Sequence, residues 1–375
     1  MHSEQKTAPA LDRAVAVRDG EELDPEALGQ YLESEIPELA GEIRVRQFPS
    51  GFSNLTYLVS VGKRELVLRR PPFGATIRSA HDMGREYRIL SALDGSYPKA
   101  PAPVLYCEDP GVLGAPFYLM ERVRGVILRP RMKATEAPDS ETMAAIAESL
   151  VETLAELHRV DAEAVGLSDL GRPAGYVERQ VEGWTKRYAG AQTDQIPAVD
   201  RTIAWLSENR GSVAGAAGEA GKPGAALIHN DFKYDNLVLD PEDLGRVVAV
   251  LDWEMATLGD PMMDLGTSLG YWVDPDDPPE MLALELSPTT LAGNPRRLEV
   301  AGTYARLTGR SLEHLVFYYV YGVFKIAVIV QQIYARYKSG HTQDARFASL
   351  IEGVKLCGLM AQQAITKGRI DRLFS

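Results

Sequence analysis

Cysteine is nearly missing from this chain. Cys107 and Cys357 are the only two among 375 residues, and they stand 250 positions apart. That excludes a disulfide framework or a thiolate metal cluster and predicts reduced, buried thiols in a cytoplasmic protein. Positive charge is also scarce: 40 Lys and Arg face 52 Asp and Glu, a net charge of −12. Such a chain lacks the basic stripe that a phosphate backbone requires, so nucleic acid is not an expected partner. No apolar run is long enough to cross a membrane. The most apolar stretch, Val316 to Tyr337, is broken by Lys325, Gln331 and Gln332. It falls short of the ~20 uninterrupted residues a span needs and reads as a buried helix, with no membrane partner expected. The first 25 residues carry six acidic side chains and no apolar run, so no secretory leader is expected there.

What is present is a globular composition, 45% hydrophobic and 25% charged, which rules out disorder throughout. The length suits two domains or one two-lobed unit. Residues 1–22 are polar and read as a flexible terminus. Asp24-Pro25 opens a helix with Leu28, Leu32 and Ile36 on one stripe. Strand-like runs follow at 43–48, 55–61 and 66–69, then a helix over 79–93, then strands at 104–107 and 117–120. This order predicts a small antiparallel sheet with a helix against it, an α+β lobe over residues 23–122. Residues 123–375 read as a larger, mainly helical lobe. Met143, Ile146, Leu150, Leu154 and Leu157 recur at helical spacing within 140–159, and 176–188, 199–209 and the chain from Leu312 onward follow suit. Residues 211–226, with 11 Gly or Ala among 16, read as a flexible surface connection. Two lobes favour a ligand cleft between them. From Ile43 to Ile89 there are nine basic and three acidic residues, a local excess that suits a polyanionic small ligand.

The stretch with the most chemistry is His229-Asn230-Asp231-Phe232-Lys233-Tyr234-Asp235-Asn236, with apolar runs on either side. A loop on such a base presents its polar groups at a cleft. Asp231 and Asn236, five residues apart, offer one oxygen group to receive a hydroxyl proton and another to hold a hard cation such as Mg²⁺. Sixteen residues after Asn236, the apolar run 247–251 ends in Asp252, a second candidate metal ligand.

His229-x-Asp231-x-Lys233-x-x-Asn236 followed by Asp252 resembles the catalytic loop and metal-binding Asp of protein-kinase-like phosphotransferases. Leu251-Asp252-Trp253-Glu254, Gly259-Asp260-Pro261-x-x-Asp264 and Leu157-His158-x-x-Asp161 resemble the aminoglycoside phosphotransferase and choline-kinase-like branch. Gly51-Phe52-Ser53-Asn54 and Leu68-Arg69-Arg70-Pro71 are similar to kinase-like domains found alone or fused to acyl-CoA dehydrogenases. The resemblance covers roughly residues 40–340. It implies a bilobal protein-kinase-like fold and an enzyme that moves the γ-phosphate of ATP, with Mg²⁺, to a hydroxyl of a small molecule. Asp231 would be the base, Lys233 a cation on the transferring phosphate, and Asn236 and Asp252 the metal ligands. His229 would hold the loop by hydrogen bonds, and Asp260 and Asp264 would brace it and cap a helix.

In the first lobe, Gly51, Ser53 and Asn54 fall where the family places its nucleotide loop, although the loop has a single glycine. Arg69 stands where the phosphate-binding Lys is expected, with Glu86 as its carboxylate partner. Arg70 is the rival, but it precedes Pro71 at a strand end. Glu121 and Val123 would offer backbone groups to the adenine edge. The acidic run 274–280 suits a cationic acceptor or a solvated loop. Tyr176, Arg179, Trp184, Arg187 and Tyr188 suit an anionic or acyl acceptor instead. A hydroxylated metabolite such as an acyl derivative is favoured over an antibiotic. The alternative reading is a nucleotide-binding regulatory pseudokinase without turnover, and the assembly is expected to be a monomer or homodimer.

Overall fold

The computed structural model describes residues 11–49, 54–73, 82–132, 135–216, 224–340 and 345–375. Asp24 accepts from the amides of Glu26 and Ala27 and starts α1 (Pro25–Glu35). A sheet follows with strands β1 (Ile43–Gln47), β2 (Leu55–Val61), β3 (Arg64–Arg70), β4 (Pro103–Cys107) and β5 (Phe117–Glu121). Its order is β1-β2-β3-β5-β4, antiparallel throughout. Helices α2 (Met83–Leu93), capped by Asp82, and the short α3 (Pro110–Leu113) complete this lobe. The predicted start of α2 at Ser79 lies outside the described residues.

Alternation along the strands sets the two faces. Tyr57, Val59, Leu66, Leu68, Phe117 and Leu119 pack with Leu28 and Leu32 of α1. Leu58, Val67, Tyr118 and Met120 pack on the opposite side with Ile89 and Leu90 of α2. Adjacent Arg69 and Arg70 must therefore point apart. Arg70 donates to Leu113 O at 2.9 Å and stacks on Phe73, away from the cleft, so it is not a rival to Arg69.

The second lobe contains α4 (Ser140–Leu157), α5 (Tyr176–Ala191), α6 (Pro197–Ala216), α7 (Pro261–Gly270), α8 (Pro279–Ala283), α9 (Arg297–Thr308), α10 (Leu315–Lys338) and α11 (Leu350–Lys367). Two small ladders bracket residues 229–236: β6 (Ala226–Ile228) pairs with β9 (Thr257–Gly259), and β7 (Leu237–Leu239) with β8 (Val247–Val250). The apolar run around Lys325 forms α10, buried at the centre of the lobe. A Cβ on Gly266 would lie 2.1 Å from Tyr318 O, and one on Gly322 would lie 2.0 Å from Gly266 O. Glycine at both positions thus lets α7 and α10 touch backbone to backbone. Both cysteines are buried and unbridged.

Two expectations need correction. Helix α6 continues to Ala216 through part of the Gly/Ala stretch, because its alanines are strong helix formers; residues 217–223 lie outside the described residues. Residues 11–22 are not a loose tail. Val15 and Gln47 exchange backbone hydrogen bonds at 2.8 and 2.9 Å, Ala14 is buried, and Asp12 N–H donates to Gly125 O. Arg122 and Arg129 also donate to Asp12. Val126, just after the crossing between lobes, bridges to both Leu11 and Leu239.

Candidate active site

The loop 229–236 is built from below by one carboxylate. Asp264, in the first turn of α7, accepts from the amides of His229 and Asn230 at 2.7 Å each and from His158 Nε2 at 3.1 Å. Burial alone would raise the Asp264 carboxyl. The His158 bond, with the amide and ring of His229, outweighs that and holds it below its ordinary range. Because a carboxylate only accepts here, Nε2 of His158 carries a hydrogen, and Nδ1 is hydrogen-bonded to the Tyr304 hydroxyl at 2.6 Å. Asp260 accepts from Met262 N–H and caps the same helix. His229 ties two segments together: Nε2 donates to Leu251 O at 2.9 Å, and Nδ1 accepts from Asp231 N–H at 3.3 Å.

Above this base, Asp231 Oδ1 accepts from Tyr271 O–H at 2.9 Å, and Oδ2 meets Lys233 Nζ at 3.0 Å and Asn236 Nδ2 at 3.1 Å. Three donors fix the carboxylate's plane. Burial pulls the Lys233 ammonium down, but Tyr271, Asp231 and Asp235 together hold it well above the ordinary lysine value, so it stays charged. Leu251 N–H donates to Asn236 O at 2.8 Å, which sets Asn236 beside the start of the Asp252 turn. Asp252 has φ 68°, a left-handed conformation uncommon outside glycine and typical of functional turns.

Across the cleft, Arg69 of β3 reaches three carboxylates: Asp252 at 2.8 Å, Glu86 of α2 at 3.4 Å and Glu254 at 3.6 Å. Burial works against its charge, but Glu86 and Asp252 outweigh burial and hold the guanidinium well above its usual value. Burial opposes ionisation of Asp252 too, yet Arg69, His229 and Lys233 keep that carboxyl below the usual range. Asn54 Nδ2 donates to Glu254 Oε2 at 2.8 Å, a second tie between the lobes. Gly51 and Ser53 lie outside the described residues. Glu121 donates its amide to Ala102 O and its side chain pairs with Arg64.

A cavity of about 960 Å³ opens between the lobes, and Asn54, Arg69, Glu121, Val123, Asp231, Lys233, Asn236 and Asp252 all line it. Glu86 stands behind Arg69. Sequence reasoning missed Tyr271, Glu254, Arg129 and Arg336, which share the wall. Tyr271 reaches Asp231 from 40 positions away with no local signature. The cavity is also bordered by Trp184 of α5 and Ile329 and Ile333 of α10.

Two acceptor expectations change. Asp274 and Asp277 are not on a solvated loop or a cation platform, because both are buried against the guanidinium of Arg297. Asp276 pairs with Arg296. Of the five aromatic and basic residues on α5, Trp184 alone borders the cavity. Tyr176 and Tyr188 are buried, Arg187 stacks on Trp184, and Arg179 donates to backbone carbonyls of Arg172 and Ala174.

The sequence matches the model of the phosphotransferase enzyme family over residues 44–299. Among curated proteins it is 34% identical to mouse acyl-CoA dehydrogenase family member 10, over 88% of this chain and 30% of that protein. It is also 34% identical to chicken acyl-CoA dehydrogenase family member 11, over 95% and 45%. The chain thus spans less than half the length of these relatives. A crystal structure from Ralstonia eutropha JMP134, provisionally assigned as an aminoglycoside phosphotransferase, superposes with a TM-score of 0.73 at 30% identity, covering 91% of this chain and 99% of that one. The aminoglycoside phosphotransferase APH(4)-Ia shares the fold, with a TM-score of 0.57 at 16% identity.

Proposed function

The chain belongs to the phosphotransferase enzyme family, and on that premise we propose that it transfers the γ-phosphate of ATP to a hydroxyl of a small molecule with the help of Mg²⁺. One observation carries the reading: Asp231, Lys233, Asn236 and Asp252 converge on the cavity that Arg69 enters from the opposite lobe. Asp231 orients the acceptor hydroxyl and takes its proton late in a loose transition state. Lys233, anchored on Asp231 and above the Tyr271 ring, places a fixed positive charge beside the transferring group. Arg69 holds phosphate oxygens, and Val123 and the Glu121 carbonyl meet the base.

The donor set fits a hard divalent cation. Among the described residues, no hydrogen bond is donated to Asn236 Oδ1 or to Asp252 Oδ2. That matches magnesium, which takes one or two protein oxygens and fills its shell with phosphate and water. Bound there, it would neutralise charge on the phosphate oxygens.

For the acceptor, the internal pairing of Asp274 and Asp277 removes the acidic face an aminosugar would want. The apolar border of Trp184, Ile329 and Ile333, with Arg336 beside it, supports a hydroxylated acyl derivative. The bond from Arg69 to Asp252 favours the rival, a nucleotide-binding regulator without turnover. A thermal-shift titration with ATP, with and without Mg²⁺, followed by phosphate transfer over a panel of hydroxylated acyl compounds and aminosugars, separates the two. Stabilisation by Mg·ATP with transfer to a panel member is expected. Binding without transfer to any member favours the regulator, and no ATP-dependent shift sinks both.

A further inference from the structure

Helix α10 carries one charged residue into the middle of the lobe. Lys325 is 1% exposed, its hydrogen-bond partners among the described residues are oxygens of Asn230 and no carboxylate, and it does not line the cavity. Its Nζ donates to Asn230 O at 2.5 Å, approaches Asn230 Oδ1 at 3.5 Å and stands 5.5 Å from the Trp184 ring centroid. Burying an ammonium on a carbonyl rather than a carboxylate is unfavourable for folding. Packing alone would be served better by Met or Leu.

The carbonyl it holds is a particular one. Asn230 O and Asp231 N–H belong to the same peptide group. Lys325 grips the oxygen side, while His229 Nδ1 accepts from the nitrogen side at 3.3 Å. Asn230 itself has φ 67°, which asparagine tolerates best after glycine. It is restrained further by Asp264 on its amide, and by Met255 O and the Tyr176 hydroxyl on its side chain. The peptide that leads into Asp231 is therefore clamped at both ends, and turning it would swing the carboxylate out of line.

We propose that Lys325 is a positioning residue for phosphoryl transfer, whose ammonium fixes the Asn230–Asp231 peptide and thereby aims Asp231 at the acceptor. This rests on the role given to Asp231 above. The charged groups that act on Lys325 are Asp231 and Lys233 on the loop, Asp264 on α7 and Arg187 on α5. Burial outweighs the two carboxylates and lowers the ammonium to about 8. Its charge is present at neutral pH and lost on mild alkalinisation, when the grip on the carbonyl weakens.

The test uses the full chain with Lys325→Met and Lys325→Arg. ADP formation from Mg·ATP in the presence of the hydroxylated acceptor found in the panel is followed from about pH 6 to 9.5, with ATP affinity and amide hydrogen exchange measured in parallel. Lys325→Met is expected to lower turnover about 10–100-fold, the scale of a misaimed catalytic group, with ATP affinity within about threefold. The parent's alkaline limb near pH 8 should vanish in Lys325→Met and move upward in Lys325→Arg. Exchange should rise by about tenfold in peptides spanning 228–236 and not in α6 or α11. Parental turnover, pH profile and loop exchange in Lys325→Met overturn the proposal. So does general loosening of the lobe with ATP affinity lost in step, which marks a packing role. A parent that forms no ADP with any member of the acceptor panel overturns the transferase reading instead, and Lys325 is then judged on the loop exchange alone.

Discussion

Replacing Lys325 by Met should remove one specific pH dependence from the stability of this protein. Burial lowers the ammonium from its ordinary 10.5 to about 8. At about 1.4 kcal/mol per pH unit, that displacement amounts to about 3 kcal/mol. The sign follows from proton counts. Between pH 8 and 10.5 the unfolded chain holds the Lys325 proton and the folded chain has released it. Stability from this group therefore rises through that window and is lowest below pH 8. Lys325→Met removes this penalty but leaves Asn230 O without its donor, which costs about 1–3 kcal/mol. The two nearly offset at pH 7, so the variant should match the parent or exceed it by up to about 2 kcal/mol there. The informative quantity is the parent-minus-variant difference, because other titrating groups cancel in it. Urea unfolding followed by tryptophan fluorescence at several pH values should show that difference moving by about 3 kcal/mol in the parent's favour between pH 7.5 and 10.5. A difference that stays constant with pH would refute the reasoning, because Lys325 would then titrate alike in the folded and unfolded chains.

Asp231→Asn keeps size but cannot accept the hydroxyl proton. Turnover should fall by about 10²–10⁴ with ATP affinity within a few-fold of the parent; a single-turnover measurement near the parental rate removes Asp231 from the role. Asp252→Ala should abolish the Mg²⁺ dependence of nucleotide binding while the fold survives, since Arg69 keeps Glu86 and Glu254 as partners. Calorimetric titration that returns the parental Mg·ATP affinity would exclude Asp252 as a ligand.

Much of the site was legible because its parts are close in sequence. The loop from His229 to Asn236 and the strand end at Asp252 are short-range patterns, and β-strand alternation alone separates Arg69 from Arg70. What was not legible depends on distant partners. Tyr271 reaches Asp231, and Glu254 meets Asn54 from 200 positions away, through packing that no local spacing records. The run 274–280 reads as solvated until Arg297 is found among its carboxylates. Lys325 did leave a trace, as the first charge to interrupt the apolar stretch of α10. The sequence shows the interruption but not the carbonyl it serves. Residues 11–22 look like a tail because the hydrogen bonds that order them are made by backbone and by distant side chains such as Arg129, which composition does not reveal.

That N-terminal segment has a mechanical consequence. It lies along the crossover like a splint, with Leu11 bridged to Val126, Val126 to Leu239, and Val15 to Gln47. A Cβ on Gly125 would fall 2.3 Å from Leu239 O, so the crossover lies directly against the second lobe. Force applied at Leu11 is thus delivered to the joint between the lobes. Removing the contacts of residues 11–22 would take the brace off the hinge.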